Sequence, residues 1–152
     1  MPTRSSAAVF LSLAALFPLA HAQNTPDPWS VSQTVKPGDL LRELSDPKKA
    51  PTVLFVGFQR LYTAGHVKGA QYHGSGGSAE GLAQIKSWAQ SQARSTNLII
   101  YCGCCPMERC PNIRPAFAAL RDLGFTKLRV LDLPTSFEVD WAEKGLPYDK
   151  GQ

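Results

Sequence analysis

Short apolar segments alternate with segments of helical periodicity along most of this chain. Residues 52–56, 97–101 and 127–133 are rich in aliphatic and β-branched side chains, which is typical of buried strands. Between them, residues 79–94 and 112–123 carry apolar side chains at helical spacing. Strands that alternate with helices form a mainly parallel sheet with helices on both faces. We therefore predict an α/β fold.

Shorter elements complete the predicted pattern. We predict a short strand over residues 70–72 and further helices over residues 38–44, 59–64 and 137–144. Residues 23–35 contain two prolines and are predicted to be an irregular lead-in. No internal repeat or long linker divides the remainder, so residues 36–152 are predicted to form one domain.

The first 22 residues have the organisation of a cleaved signal peptide. Arg4 precedes an apolar stretch over residues 7–19, and Ala20, His21 and Ala22 form a small-x-small cleavage site. A membrane anchor is the alternative, but the apolar stretch is shorter than the ~20 residues that a span requires. We expect cleavage after Ala22, an exported protein (periplasmic or secreted) and no stable membrane anchor.

The charge of the chain narrows the class of partner. Of the 16 lysines and arginines only Arg4 lies within the first 22 residues, so fifteen basic residues remain against twelve acidic ones, a net charge of +3. The basic residues are scattered rather than grouped, which argues against nucleic acid as a partner. The balance is compatible with a small anionic substrate.

All four cysteines of the chain fall within nine residues: Cys102, Cys104, Cys105 and Cys110. They follow the predicted strand 97–101 and precede a predicted helix that begins near Asn112. Open α/β sheets bind ligands at the carboxyl ends of their strands. A thiolate is the reactive form of cysteine, and a nearby helix N-terminus favours it. This loop is therefore the candidate active site.

Three kinds of chemistry are open to such a cluster. The cysteines could act as a thiol redox relay, in which one of them resolves a persulfide or sulfenate on Cys102. They could bind a soft metal ion through Cys102, Cys104, Cys105 and Cys110, although the spacing is not the C-x2-C pair of common zinc sites. They could also form local disulfides, but a bridge between adjacent Cys104 and Cys105 is strained and closes little chain. We expect neither a metal nor a cofactor in the leading interpretation.

Several motifs in a fixed order resemble the rhodanese family. Residues 62–70 read Y-T-A-G-H-V-K-G-A, which is similar to the family signature Y-x-x-G-H-I-x-G-A. Residues 99–102 read I-I-Y-C and are followed by A-A-L-R-D-L-G-F over residues 118–125, similar to the family's strand, active-site cysteine and helix. Residues 141–147, W-A-E-K-G-L-P, match the usual W-x-x-x-G-x-P close. The resemblance covers roughly residues 36–148.

The resemblance implies a five-stranded, mainly parallel sheet flanked by helices, and a sulfurtransferase mechanism. Cys102 would attack the outer sulfur of a donor such as thiosulfate and become a persulfide. A thiophilic acceptor, a thiol in a cell, would then remove that sulfur. The partners implied are therefore a small sulfur-containing anion and a thiol acceptor, without a cofactor.

The candidate site extends beyond Cys102 to the rest of its loop. Backbone N–H groups of the loop and of the first helical turn can cradle an anion, Asn112 is predicted as the helix N-cap, and two arginines are placed to attract a sulfur oxyanion. The substrate-binding or loop residues predicted are Gly103, Cys104, Cys105, Arg109, Cys110, Asn112 and Arg114. The loop departs from the family pattern in its length and in having Cys105 where the family has glycine. The alternative function is therefore a non-catalytic, redox-active or metal-binding rhodanese-like module.

Overall fold

A five-stranded parallel sheet forms the centre of the molecule. The structure, a computed structural model, describes residues 26–151. Its strands are β1 (Thr34–Val35), β2 (Thr52–Phe55), β4 (Gln71–Tyr72), β5 (Asn97–Tyr101) and β6 (Lys127–Leu131). They lie in the order β1-β6-β5-β2-β4, and all of their pairings are parallel. The predicted α/β fold with a five-stranded parallel sheet is confirmed, and β5 is its central strand.

Helices cover both faces of the sheet. They are α1 (Pro37–Leu44), α2 (Gln59–Ala64), α3 (Ala79–Gln90) and α4 (Ile113–Asp122), with 3-10 turns at Val31–Gln33 and Met107–Arg109 and a π-helical turn at Glu138–Ala142. Side chains of β5 alternate between two cores, as the pleat of a strand requires. Leu98 and Ile100 pack with α3 and α4, whereas Ile99 and Tyr101 pack on the opposite face with residues such as Trp141.

The structure differs from the predicted elements mainly where segments are short. The lead-in, predicted to be irregular through residue 35, ends in the strand Thr34–Val35, which pairs with Val130 and Leu131 of β6. Two further strands, β3 (His66–Val67) and β7 (Tyr148–Asp149), form a small antiparallel sheet. Two residues are too few to display any periodicity, so the sequence pattern could not indicate these strands.

Two long elements end earlier than predicted. Helix α3 stops at Gln90 rather than at residue 94, because the Arg94 guanidinium folds back and donates to the Ala89 carbonyl at 2.6 Å. Such a contact satisfies a carbonyl that the helix end would otherwise leave unpaired. Strand β6 stops at Leu131 rather than at residue 133. The predicted signal peptide and the cleavage after Ala22 lie outside the described residues. None of the helices within residues 26–151 has the length and hydrophobicity needed to cross a membrane.

His66 has a structural role beside the candidate site. Its ring is buried, stacks on Tyr62 with centroids 3.8 Å apart, and places Nδ1 2.7 Å from the Tyr62 carbonyl oxygen. The neighbouring Val67 N–H donates to the Tyr101 hydroxyl at 2.8 Å. The segment 62–70 is thereby fixed against the end of β5, next to the candidate site.

Candidate active site

The loop that carries the cysteines runs from the end of β5 to the start of α4. Gly103 follows Cys102 directly and has a φ of +70°, which is a left-handed conformation that glycine tolerates best. A Cβ atom there would also lie 2.6 Å from the Phe137 Cβ. The Gly103 carbonyl accepts the Phe137 N–H at 3.0 Å, and the Met107 N–H donates to the Leu133 carbonyl at 3.3 Å. The segment after β6 therefore holds both halves of the loop.

The four sulfur atoms meet in one cluster. The Cys102 thiol lies 3.1 Å from the Cys104 sulfur, and Cys104 and Cys105 are separated by the same distance between their sulfurs. The sulfurs of Cys102, Cys104 and Cys110 all lie within 4.8 Å of one another. All four residues are free thiols, with Cys102 and Cys110 buried and Cys104 and Cys105 half-buried. The structure thus brings all the predicted cysteines together.

Asn112 contacts this cluster from the start of α4. Asn112 occupies the predicted N-cap position of α4, but its side chain makes no capping hydrogen bond. Instead its Nδ2 lies 3.3 Å from the Cys102 sulfur and 3.9 Å from the Cys104 sulfur. Its Oδ1 accepts a hydrogen bond from the Ser75 hydroxyl at 2.9 Å, and the residue is fully buried. Asn112 is therefore a fixed N–H donor that points at the sulfur of Cys102.

Cys110 and Cys102 are electrostatically coupled. The Cys102 thiol, followed by the backbone N–H groups of Asn112 and Ile113, lowers the pKa of Cys110 against the opposing effect of burial. Cys110 in turn, together with burial, raises the pKa of Cys102. The proton of the pair is held on Cys102, and negative charge is favoured on Cys110 because N–H groups at the start of a helix stabilise an anion.

The thiol of Cys105, like that of Cys102, is held in its neutral form. Burial, reinforced by the Cys104 thiol, raises the pKa of Cys105 to about 12. The Cys105 side chain is therefore a neutral thiol at physiological pH.

A small cavity of about 200 Å³ adjoins Cys102. Aromatic and aliphatic side chains form much of its wall, and its remaining lining includes Gly103, Ser136, Glu138 and Lys150. Among the lining residues within 26–151, Lys150 is the one that is basic, and its Nζ lies 5.8 Å from the centre of the Tyr148 ring. Two larger clefts, one beside Arg129 and one beside His73, have no cysteine in their lining. Of these three cavities in the described part of the chain, the one next to Cys102 is the one that has a thiol in its lining.

Comparison with solved structures identifies the architecture, whereas no family model and no curated protein matches the sequence. A protein of Bacillus halodurans superposes with a TM-score of 0.61 at 19% identity, covering 78% of this chain and 77% of its own. A protein of Anabaena whose rhodanese-like domain was also solved by NMR superposes at 0.57 with 22% identity, covering 77% of this chain and 92% of its own. This chain has the rhodanese-like fold.

A third similar structure is larger than this chain. Thiosulfate sulfurtransferase of Pseudomonas aeruginosa superposes with a TM-score of 0.57 at 24% identity over 78% of this chain. The match covers 19% of that enzyme, so the likeness is to one part of it. These rhodanese-like neighbours confirm the fold that the motifs implied.

The two arginines predicted to attract an oxyanion lie away from the cavity in this rhodanese-like fold. Arg114 forms an ion pair with Asp27 at 2.5 Å, and its guanidinium lies 5.6 Å from the centre of the Trp29 ring. It also donates to the carbonyl of Cys110 at 3.4 Å, so it ties the lead-in to the loop. Arg109 is exposed at the end of the 3-10 turn. Neither arginine is among the residues that line the cavity.

Sequence reasoning missed Lys150 and the contact of Asn112 with sulfur. Lys150 follows β7, a two-residue strand whose pairing with β3 brings the end of the chain to the cavity. No local motif marks this lysine. The partner that orients the Asn112 amide, Ser75, comes from a loop 37 residues earlier in the chain. The glycine- and serine-rich composition of residues 74–78 was the only signal that a close approach occurs there.

Proposed function

We propose that this protein is an exported sulfurtransferase of the rhodanese type, with Cys102 as the residue that carries sulfur. The observation that carries this proposal is the position of the Cys102 sulfur. This sulfur lies just after the central parallel strand and 3.3 Å from the Asn112 amide nitrogen. Cys102 also lines the cavity that has Lys150 in its wall. In open α/β sheets this end of the strands is where ligands bind.

The chemistry follows from the groups around this sulfur. Cys102 attacks the outer sulfur of thiosulfate, a new S–S bond forms, and the S–S bond of the donor breaks with its electron pair leaving on sulfite. As the new S–S bond forms, the Cys102 thiol becomes acidic, and the neighbouring Cys110 thiolate accepts its proton. The product is a persulfide on Cys102. The Asn112 N–H lies where it stabilises the negative charge that returns to the Cys102 sulfur when the persulfide S–S bond breaks. A thiol acceptor then removes the outer sulfur and restores Cys102.

Intact-mass measurement tests this proposal directly. The fully reduced protein is incubated with thiosulfate, freed of excess donor and weighed without reductant, while released sulfite is measured in parallel. We expect one added sulfur atom for each sulfite released, and loss of the added mass when a thiol is supplied. Protein that gains no mass and releases no sulfite with thiosulfate or another sulfane donor would contradict the proposal.

Replacing Lys150 should weaken the use of an anionic donor. Lys150 is exposed, so its attraction to a bound anion is screened by solvent and is expected to be modest. We expect the Lys150→Ala variant to raise the KM for thiosulfate by about two- to fivefold with little change in kcat, and the effect to shrink at high salt. The matched control is Lys127→Ala, because Lys127 is exposed at the opposite, amino end of β6. Equal KM values for wild type and Lys150→Ala at low ionic strength would exclude this role.

The export of the protein is a proposal that the N-terminal segment supports. Expression of the full chain in a bacterial host, followed by fractionation and N-terminal sequencing, checks it. We expect the periplasmic product to begin at Gln23, because the small residues Ala20 and Ala22 flank the predicted cut. A product that keeps Met1 and remains in the cytoplasm would contradict export.

A further inference from the structure

We propose that Cys102, Cys104 and Cys110 form a three-sulfur binding site for a single Cu(I) ion. Their sulfur atoms all lie within 4.8 Å of one another, and those of Cys102 and Cys104 are 3.1 Å apart. Bonds from a thiolate to a metal ion are about 2.3 Å long, so three sulfurs around one ion are separated by roughly 4 Å. The three side chains thus need to move by only about 1 Å to surround an ion.

The ligand set favours Cu(I) over other common ions. Thiolates are soft ligands, which select Cu(I) and Zn(II) over the harder ions that carboxylates and carbonyls bind. The group formed by the sulfurs of Cys102, Cys104 and Cys110 contains neither a histidine nor a carboxylate. A structural Zn(II) site is almost always closed by four ligands. Cys105 lies close to Cys104 but outside this three-sulfur group. Within residues 26–151 the site therefore has three ligands, a number that suits Cu(I).

The surroundings of the three sulfurs suit the negative charge of a thiolate site. The Asn112 Nδ2 lies 3.3 Å from the Cys102 sulfur and 3.9 Å from the Cys104 sulfur. Such groups hold metal ligands in place and support their charge. Cys102 and Cys110 are buried, whereas Cys104 is half-buried. An ion can therefore enter past Cys104 and be held by the two buried sulfurs.

This site does not depend on the proposed sulfur transfer. Both uses involve Cys102, so a bound Cu(I) ion would prevent Cys102 from accepting sulfur. The two properties are measured by separate experiments, one on the reduced protein with thiosulfate and one on the reduced protein with Cu(I). Either can fail while the other holds.

The binding experiment uses the full chain in reduced form under anaerobic conditions. The protein is titrated into the coloured Cu(I) complex of bicinchoninate, and loss of colour reports transfer of the ion. We expect one Cu(I) per chain, and X-ray absorption at the copper edge is expected to report three sulfur ligands. Failure to withdraw Cu(I), uptake of several ions per chain, or exclusive binding of Zn(II) when both ions are offered would overturn the proposal.

Two serine variants separate ligands from neighbours. Cys104→Ser is expected to lower the affinity for Cu(I) by about 100-fold or more, since even outer-shell changes cost 10- to 100-fold. Cys105→Ser is the matched control and should bind within about threefold of wild type, because Cys105 lies outside the three-sulfur group. Both residues are half-buried, and circular dichroism verifies that both variants fold. An equal loss of affinity in the two variants would overturn the three-sulfur assignment.

Discussion

The Cys102→Ser variant is expected to gain no sulfur from thiosulfate and to release sulfite at least about a thousandfold more slowly than wild type. A serine hydroxyl is a far weaker nucleophile than a thiol and cannot form a persulfide. The substitution keeps a hydrogen-bond acceptor near the Asn112 amide, which lies 3.3 Å from the native sulfur. Intact mass and sulfite release, measured on both proteins under the same conditions, check this expectation.

The other cysteines of the cluster make a control necessary. Cys104 lies 3.1 Å from Cys102 and is more exposed, and Cys110 holds the favoured negative charge, so both compete for the role of carrier. Cys105→Ser serves as the matched variant, because Cys105 does not line the cavity beside Cys102 and lies outside the group formed by the other three sulfurs. We expect Cys105→Ser to gain sulfur as wild type does. If the Cys102→Ser protein still gained one sulfur, the sulfur carrier would be another cysteine of the loop rather than Cys102.

Folding of the Cys102→Ser protein must be verified, since the residue is buried. The side chain packs in the core formed with α3 and α4, so a more polar hydroxyl there costs some stability. A cost of about 1–2 kcal/mol is expected, because the hydroxyl keeps one hydrogen-bond partner in Asn112. A protein with a native circular dichroism spectrum and no sulfur uptake would assign the loss to chemistry rather than to unfolding.

The longer elements of the fold were predictable because their periodicity is local. Strand β5 spans residues 97–101 as predicted, and helix α2 spans the predicted residues 59–64. Apolar runs and helical spacing are visible in consecutive residues. They can therefore be recognised without knowing which segment the strand or helix packs against. The strands β1, β3 and β7 have two residues each, and they exist because of their pairing partners. Their positions follow from tertiary contacts that a local pattern does not contain.

Some features of the candidate site were likewise predictable from local sequence, whereas others depend on distant contacts. The four cysteines lie in one loop, so their proximity was predictable from the sequence. The ion pair between Arg114 and Asp27 joins residues 87 positions apart, and it explains why an arginine expected to attract an anion instead supports the loop. Asn112 is a good N-cap by type, yet Ser75 and the sulfurs compete for its side chain. Distant partners decide the roles of these two residues.

Gly76→Ala is expected to cause a large loss of stability, because Gly76 packs directly against the backbone at Asn112. A Cβ atom at Gly76 would lie 2.1 Å from the Asn112 carbonyl oxygen and 2.9 Å from the Ala116 Cβ. The first of these atoms belongs to the backbone of the loop just before α4, and the Gly76 N–H is held by the Val56 carbonyl at 2.8 Å. Neither segment can move without breaking contacts at the end of β2 or at the start of α4.

We expect the Gly76→Ala substitution to lower the free energy of unfolding by about 2–3 kcal/mol, at the upper end of the cost of overpacking. Urea unfolding of both proteins measures the change. The matched control is Gly38→Ala in α1, where an added Cβ meets no atom within 4 Å. The control should leave stability unchanged or raise it by up to about 1 kcal/mol, because alanine is the better helix former.

The Gly76→Ala substitution should also slow sulfur uptake by Cys102. Displacing the Asn112 backbone moves the amide that donates to Cys102, so sulfur uptake by the folded fraction of Gly76→Ala should be slower than in wild type. A loss of about tenfold corresponds to weakening one hydrogen bond to a charged sulfur. If Gly76→Ala were as stable and as active as wild type, the 74–78 loop would not hold Asn112 against the sulfurs, and the role of Asn112 as their fixed donor would have to be abandoned.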